Sequence, residues 1–310
     1  YTLGAMFSHQ MLIFCSLLSM ILSALHVIRH TRKEEDLGLT ELMRSFQIGR
    51  QANSLAILSE VFLINLGISI LIGSALMAFQ VEIFSIAGAV IFGLSVGSAG
   101  MLGAAFALLI AQIMPSSSST MAGVMGLIGF LYLVRAGTDV SNEQLSMFNP
   151  LGWTYMTYPF TENNWVFLLL ASGGIFMTVI VALILENHRD MGAGYLSEKE
   201  RRVTAKPSLL SIRGLLVRIS RASIVAWMVA FLIMAVAYGS IYGDMKTFID
   251  SNATVQQIFS YSGVTIEESF TGTIMMIMMV LVAILPISLM NRLYNEENRR
   301  RLSPLLATKV

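Results

Sequence analysis

An all-α integral membrane protein, a polytopic bundle of about seven membrane-crossing helices, is the fold class this sequence predicts, and three observations predict it. Apolar residues make up 55% of the 310 and charged ones only 13%, with a mean hydropathy of +0.71, whereas soluble domains carry about 25% charged residues. Seven apolar runs, at about 11–28, 54–79, 83–114, 120–134, 165–185, 222–243 and 271–291, approach or exceed the roughly 20 residues a helix needs to cross the hydrocarbon. If residues 29–53 are cytoplasmic, alternation puts 18 of the 20 Lys and Arg on that side, with Arg135 and Lys246 as the exceptions. The positive-inside rule then fixes the orientation.

The first run exits through His26, read as a hydrogen-bonded packing residue rather than a ligand, into the charged island RHTRKEEDLGLTELMRSFQIGR, residues 29–50. The island has an amphipathic pattern of its own, with Leu39, Leu42, Met43 and Phe46 at i, i+3, i+4 and i+7. A plain connection would not need that stripe. An amphipathic helix over about 34–48 that docks into a groove of another protein is one reading, and an interfacial helix lying on lipid is the other. In the second run Glu60 is a candidate functional acid, because charge within a span is costly to bury. So near the end of its helix it can also snorkel outward or pair with Arg50.

The third run repeats small residues every four positions, Ala89, Gly93 and Gly97, then Ala99 and Gly103. Such a face lets backbones approach closely, so it predicts helix packing within the bundle or across a dimer. Pro115 and the four serines after it end the run in a tight turn. Beyond the short fourth run, residues 135–165 mix Phe148, Trp153, Tyr155, Tyr158 and Phe160 with Pro150, Gly152 and Pro159. Either an aromatic belt at the outer interface or a partly re-entrant element fits that composition, and Arg135 with Asp139 stands at pairing distance on a helix.

The largest cytoplasmic loop follows the fifth run. Its later part sets Leu209, Ile212, Leu216 and Ile219 on one stripe with Arg213, Arg218 and Arg221 off it, the pattern of a basic helix lying among headgroups. The sixth run is entered through Trp227, and a polar external loop with Asp244, Lys246, Asp250, Glu267 and Glu268 leads to the seventh. That last run carries Met275, Met276, Met278 and Met279 all round the helix, for lipid contact and packing, then Pro286, read as a kink. Glu296 and Glu297 at its exit, with Leu305 and Leu306 after them, repeat the charged island: the Glu pairs are 262 residues apart and the Leu42 and Leu305 positions 263. This predicts two homologous halves, divided as 1–190, a linker with the interfacial helix at 191–221, and 222–310 with a second coupling element at 296–310.

Several chemistries are missing. The sequence has no GxxxxGK[ST] loop, no HExxH and no nucleophile elbow. A single cysteine, Cys15, rules out an internal disulfide, and four scattered histidines give no metal site. The net charge of +1, segregated by loop, offers no face to nucleic acid. The chain is therefore not an enzyme by itself, and the energy for any uphill transport comes from elsewhere.

Three motifs carry a family resemblance. ALHVIRHTRKEEDLGLTELMRSFQIGR resembles the exit helix and EExGxxELL-like coupling helix of permeases of the type-2 ABC exporter superfamily. NPLGWTYMTYPFTENNW looks like the SPLGW...RPF...W signature, and RDMGAGYLSEKE like the RDxGAGLLP signature, of the tetronasin or polyether-antibiotic exporter permeases. The resemblance implies a twelve-span permease of two fused halves in a bacterial plasma membrane, exporting an amphiphilic compound. The present chain would hold helices two to six of the first half and one to two of the second, with further residues before Tyr1 and after Val310. It would bind no cofactor directly; ATP and Mg would sit on a separate ATPase subunit, present in two copies. Coupling to that partner carries over to Glu34, Glu35, Gly38, Glu41, Leu42 and Met43, and more weakly to Glu296, Glu297, Leu305 and Leu306. Tyr158 stands where that family often has Arg, and Arg299 to Arg301 replace a glycine region. An ion-coupled transporter using Glu60, with His26 as a second candidate, is the alternative, and an assembly scaffold without transport a third reading.

Overall fold

Runs of apolar residues this long satisfy their backbone polar groups in lipid only as helices, and every long element of the computed structural model is one. It describes residues 3–46, 48–79, 83–141, 143–196, 212–243 and 266–298. The helices are α1 (Leu3–His30), α2 (Arg32–Asp36), α3 (Leu39–Arg44), α4 (Ala52–Ala78), α5 (Ile86–Ile113), α6 (Ser117–Ser141), α7 (Gly152–Tyr155), α8 (Val166–His188), α9 (Ile212–Gly243) and α10 (Ile266–Asn298), with a 3₁₀ turn at Glu143–Phe148. Among the described residues seven of them are long and apolar enough to cross a membrane. The chain is thus an all-α multi-pass membrane protein, as its composition predicts.

The chain forms two units, Tyr1–Lys199 and Glu200–Val310. In the first, α5 is the central helix, packed by α1, α4, α6 and α8. Its start is set by Ser85, whose extended backbone lets the hydroxyl accept from Gly88 N–H at 3.2 Å. Pro115 sets its end, holding Met114 extended at ψ 146. The small residues fall where neighbours come closest. A Cβ on Gly93 or Gly97 would run into Ser69 and, at Gly97, the Asn65 carbonyl of α4, and one on Gly103 into the Met20 backbone of α1. Ala89 is fully buried, and its carbonyl stands 3.3 Å from where Gly73 of α4 would carry a Cβ.

Near the Ser85 end of α5 the NPLGW stretch packs into the bundle. Leu151, Thr154 and Thr157 are fully buried; Asn149 donates to the Leu131 carbonyl at 2.8 Å, and Ser95 and Thr157 share a hydroxyl contact at 3.0 Å. Phe160 packs on Phe84 and Phe92. The helix α6 is 25 residues long, against the 15 suggested by the hydropathy of its middle, because Ser117 to Ser119 continue it at one end and polar Gly137 to Ser141 at the other. Arg135 lies buried with its guanidinium 4.4 Å over the Tyr155 ring. The Asp139 side chain lies outside the described residues.

The second unit contains α9 and α10. Residues 212–221 are the first turns of α9, which runs unbroken for 32 residues from Ile212, so Arg213, Arg218 and Arg221 share one helix with the sixth run. A stripe of apolar residues has the same spacing whether a helix lies flat or continues upright. Pro286 lies inside the continuous α10. Leu209, the external loop with Asp244, Lys246 and Asp250, and the residues after Asn298, Leu305 and Leu306 among them, lie outside the described residues.

Candidate functional site

The expected single helix over 34–48 is two short ones. The glycine at 38 adopts φ 75, a left-handed backbone that costs glycine nothing, and there α2 ends and α3 turns away. This separates the acids of the island from its apolar residues.

Glu35 and Asp36 face the bundle. The guanidinium of Arg32 is fully buried; it donates to Glu35 Oε2 at 2.9 Å and to the carbonyls of Pro115 at 2.7 Å and of Gly192 and Ala193 at 3.4 Å. Its Nε lies 3.6 Å from Asp36. Glu35 also accepts from Arg189 at 2.8 Å and from Gly192 N–H at 2.8 Å. Asp36 accepts from Ser117 N–H at 2.7 Å, the anion-at-N-terminus arrangement that favours α6. Arg50 donates to the Arg189 carbonyl and Arg189 to that of Ala193. The RDMGAG loop then adds two backbone bonds to the end of α5, Tyr195 N–H to Gln112 O at 3.2 Å and Leu196 N–H to Ile113 O at 2.8 Å. So the first and third sequence motifs form one knot that ties α1, α2, α5, α6 and α8 together. Arg32 and Arg189, counted in the sequence only as loop charges, are its centre. The signal lay in opposite charges, Glu35 in one motif and Arg189 in the other, but nothing local paired them.

The apolar residues face outward. Leu39, Leu42 and Phe46 are 46%, 63% and 72% exposed, Leu37 and Ile48 are exposed beside them, Met43 is half-buried, and Glu41 is on the exposed side. This end of the bundle therefore presents a small apolar knob on a rigid ionic base. Glu34 is not part of the knob: it meets His30 at 2.9 Å, one helical turn back.

Glu60 lies 3.3 Å from His26 and is 55% exposed, and the His26 and His30 rings are 4.6 Å apart. The register of α4 on α1 places Glu60 against His26, while Arg50 reaches the end of α8. Glu297 is exposed on the last turn of α10, and the side chain of Glu296 lies outside the described residues. Among the described residues no group of three or more His, Cys, Asp or Glu is placed to hold a metal ion.

A family model described as the multidrug efflux system permease Rv1217c, C-terminal domain, matches residues 209–310. Over 290 residues the chain is 32% identical to the multidrug efflux system permease protein Rv1217c of Mycobacterium tuberculosis (strain ATCC 25618 / H37Rv), across 92% of this chain and 52% of that protein. The chain thus spans about half the length of the curated relative it matches. The likeness agrees with the exporter-permease resemblance carried by the three motifs. Polyether antibiotics do not figure in either name.

Proposed function

Starting from a chain that is a relative of efflux permeases, we propose that it is membrane-embedded permease of an ATP-driven exporter that moves a hydrophobic or amphiphilic compound out through a bacterial plasma membrane. A separate ATPase, acting as a pair, supplies the energy, and Leu39, Leu42 and Phe46 are where one copy grips. The observation that carries this is the exposed knob of α3 seated on the Arg32–Glu35–Arg189 knot. An apolar surface this prominent outside the spans wants a protein groove. The rigid base would pass a push on α3 to the ends of α1, α5, α6 and α8 together. ATP can shift the bundle between inward and outward states only if the ATPase contacts differ in the two.

Two fused halves, with a second knob built from Glu296, Glu297, Leu305 and Leu306, complete the scheme; the repeat in the sequence supports that arrangement. Leu42→Asp tests the site. The charge is exposed, so the fold is kept, and association with the ATPase should fall at least about tenfold, the cost of desolvating a carboxylate in an apolar groove. Co-purification with undiminished ATPase stimulation would sink the assignment.

One observation favours a second reading, ion-coupled transport. The His26–Glu60 contact places an imidazole and a carboxylate side by side within the spans, as proton relays require. On that reading Glu60→Gln abolishes transport driven by a pH gradient in vesicles without ATP; on the ATPase reading it leaves ATP-driven efflux within about twofold of the parent.

A further inference from the structure

A cavity of about 450 Å³ lies between α4, α5 and α8, within the first unit. That is the size of a drug-like ligand site. Asn65 and Ser69 on its wall are about 20 and 26 Å along α4 from Ala52, and Ser98 about 18 Å along α5 from Ile86, so the cavity sits at the middle of the spans. Phe62 and Phe176 stand exposed on its lining, and no lining residue is charged.

The polar part of the lining has one-sided chemistry. Ser69 donates its hydroxyl proton to the Asn65 carbonyl at 2.8 Å, Ser98 to that of Ser95 at 2.9 Å, and Ser172 to that of Leu168 at 2.8 Å. The Asn65 amide donates to Ser23 Oγ at 3.0 Å and to the Val61 carbonyl at 2.9 Å, while its Oδ1 accepts from Ser19. Every side-chain donor is thus committed inside the protein, and the backbone N–H groups are committed to their helices. What faces the cavity is apolar carbon and the lone pairs of the Ser98 and Ser172 hydroxyls, since Ser69 is buried with its hydroxyl packed against Gly97 of α5.

At this depth the competing occupant is a lipid tail, which has no proton to offer those lone pairs. A solute with a hydroxyl or amide N–H gains a hydrogen bond that no tail can replace. A solute whose head only accepts gains nothing over the tail, and an ion meets no countercharge. We propose that this cavity is a binding site for an uncharged amphiphile with an apolar body and a hydrogen-bond donor. This deepens the export reading by naming the chemistry of its solute, and binding here requires no ATPase.

Photolabelling tests it. The full chain in phosphatidylcholine nanodiscs is irradiated with a twelve-carbon alcohol bearing a mid-chain diazirine, with its methyl ether, or with its trimethylammonium analogue, and labelled residues are mapped by mass spectrometry. The alcohol should label the lining of α4, α5 and α8 about tenfold more than either analogue, and excess 1-dodecanol should displace it. Ser98→Ala with Ser172→Ala, whose hydroxyls bond only within their own helices, should reduce the alcohol to the level of the ether. Equal labelling by alcohol and ether overturns the proposal. So does labelling of the lining no stronger than that of lipid-exposed Met275 and Met279 on α10, which would mean that a tail or another part of the protein fills the cavity. Lost labelling with ATPase association intact sinks this proposal alone, and the reverse result sinks only the export reading.

Discussion

Arg32→Ala is expected to be the most destabilising single change in the first unit, by about 3–5 kcal/mol. Removing the guanidinium leaves the Glu35 carboxylate with Arg189 as its one cation and strips three carbonyls, at Pro115, Gly192 and Ala193, of a donor. Those carbonyls belong to the α5–α6 turn and the RDMGAG loop, so the damage spreads to the ends of several spans. Lys33→Ala, one residue away and exposed, is the comparison and should cost no more than about 0.5 kcal/mol. Thermal unfolding in detergent micelles measures both. Arg32→Met with Glu35→Leu and Arg189→Met should recover part of the loss, because removing the whole charged triad is cheaper than orphaning one member of it. A single variant as stable as the parent would mean that the cation is water-solvated and the knot ornamental.

Gly103→Leu ranks next. A Cβ at this position meets the Met20 backbone itself, its carbonyl oxygen, carbon and Cα. Since a backbone cannot step aside as a side chain can, α1 and α5 must separate, and the apolar contacts along them are lost. The expected cost is about 3 kcal/mol, read as a lowered unfolding temperature. Gly126→Leu on α6, where nothing lies within 4 Å, should leave the temperature unchanged or slightly raised, as helix propensity alone predicts. Equal effects at the two sites would show that chain flexibility, not close packing, selects glycine here.

The spans were legible because hydropathy is a local property, and each apolar run carries its own evidence of what it can span. The ends were less so. Ser117 to Ser119 and Gly137 to Ser141 extend α6 despite their polarity, since a helix already held by packing continues through residues that hydropathy excludes. The break at Gly38 needed knowledge of one backbone angle, and periodicity is blind to it: Leu39 and Phe46 keep helical spacing although the helix stops at Arg44. The polar knot was invisible for another reason. Glu35 and Arg189 are 154 residues apart, and the EED and RD motifs could each be recognised without either naming the other as partner. The pairing of Glu60 with His26 rather than Arg50 likewise depends on the register between α1 and α4, which no local pattern encodes. Asn65 and Ser69 were passed over in an otherwise apolar run, although their four-residue spacing with Val61 and Gly73 marks the face turned to α5.

The separations within the knot also order events during synthesis. The acceptors of Arg32 at Pro115, Gly192 and Ala193 lie 83, 160 and 161 residues further along, so the last of them is made only after five hydrophobic segments have been synthesised. Until then the guanidinium has only Glu35, Asp36 and the Pro115 carbonyl as partners, and the end of α1 is not yet tied to the RDMGAG loop. A nascent protein arrested before residue 192 therefore has an Arg32 guanidinium still missing two of its carbonyl acceptors, so closure of this corner waits on the end of the first unit.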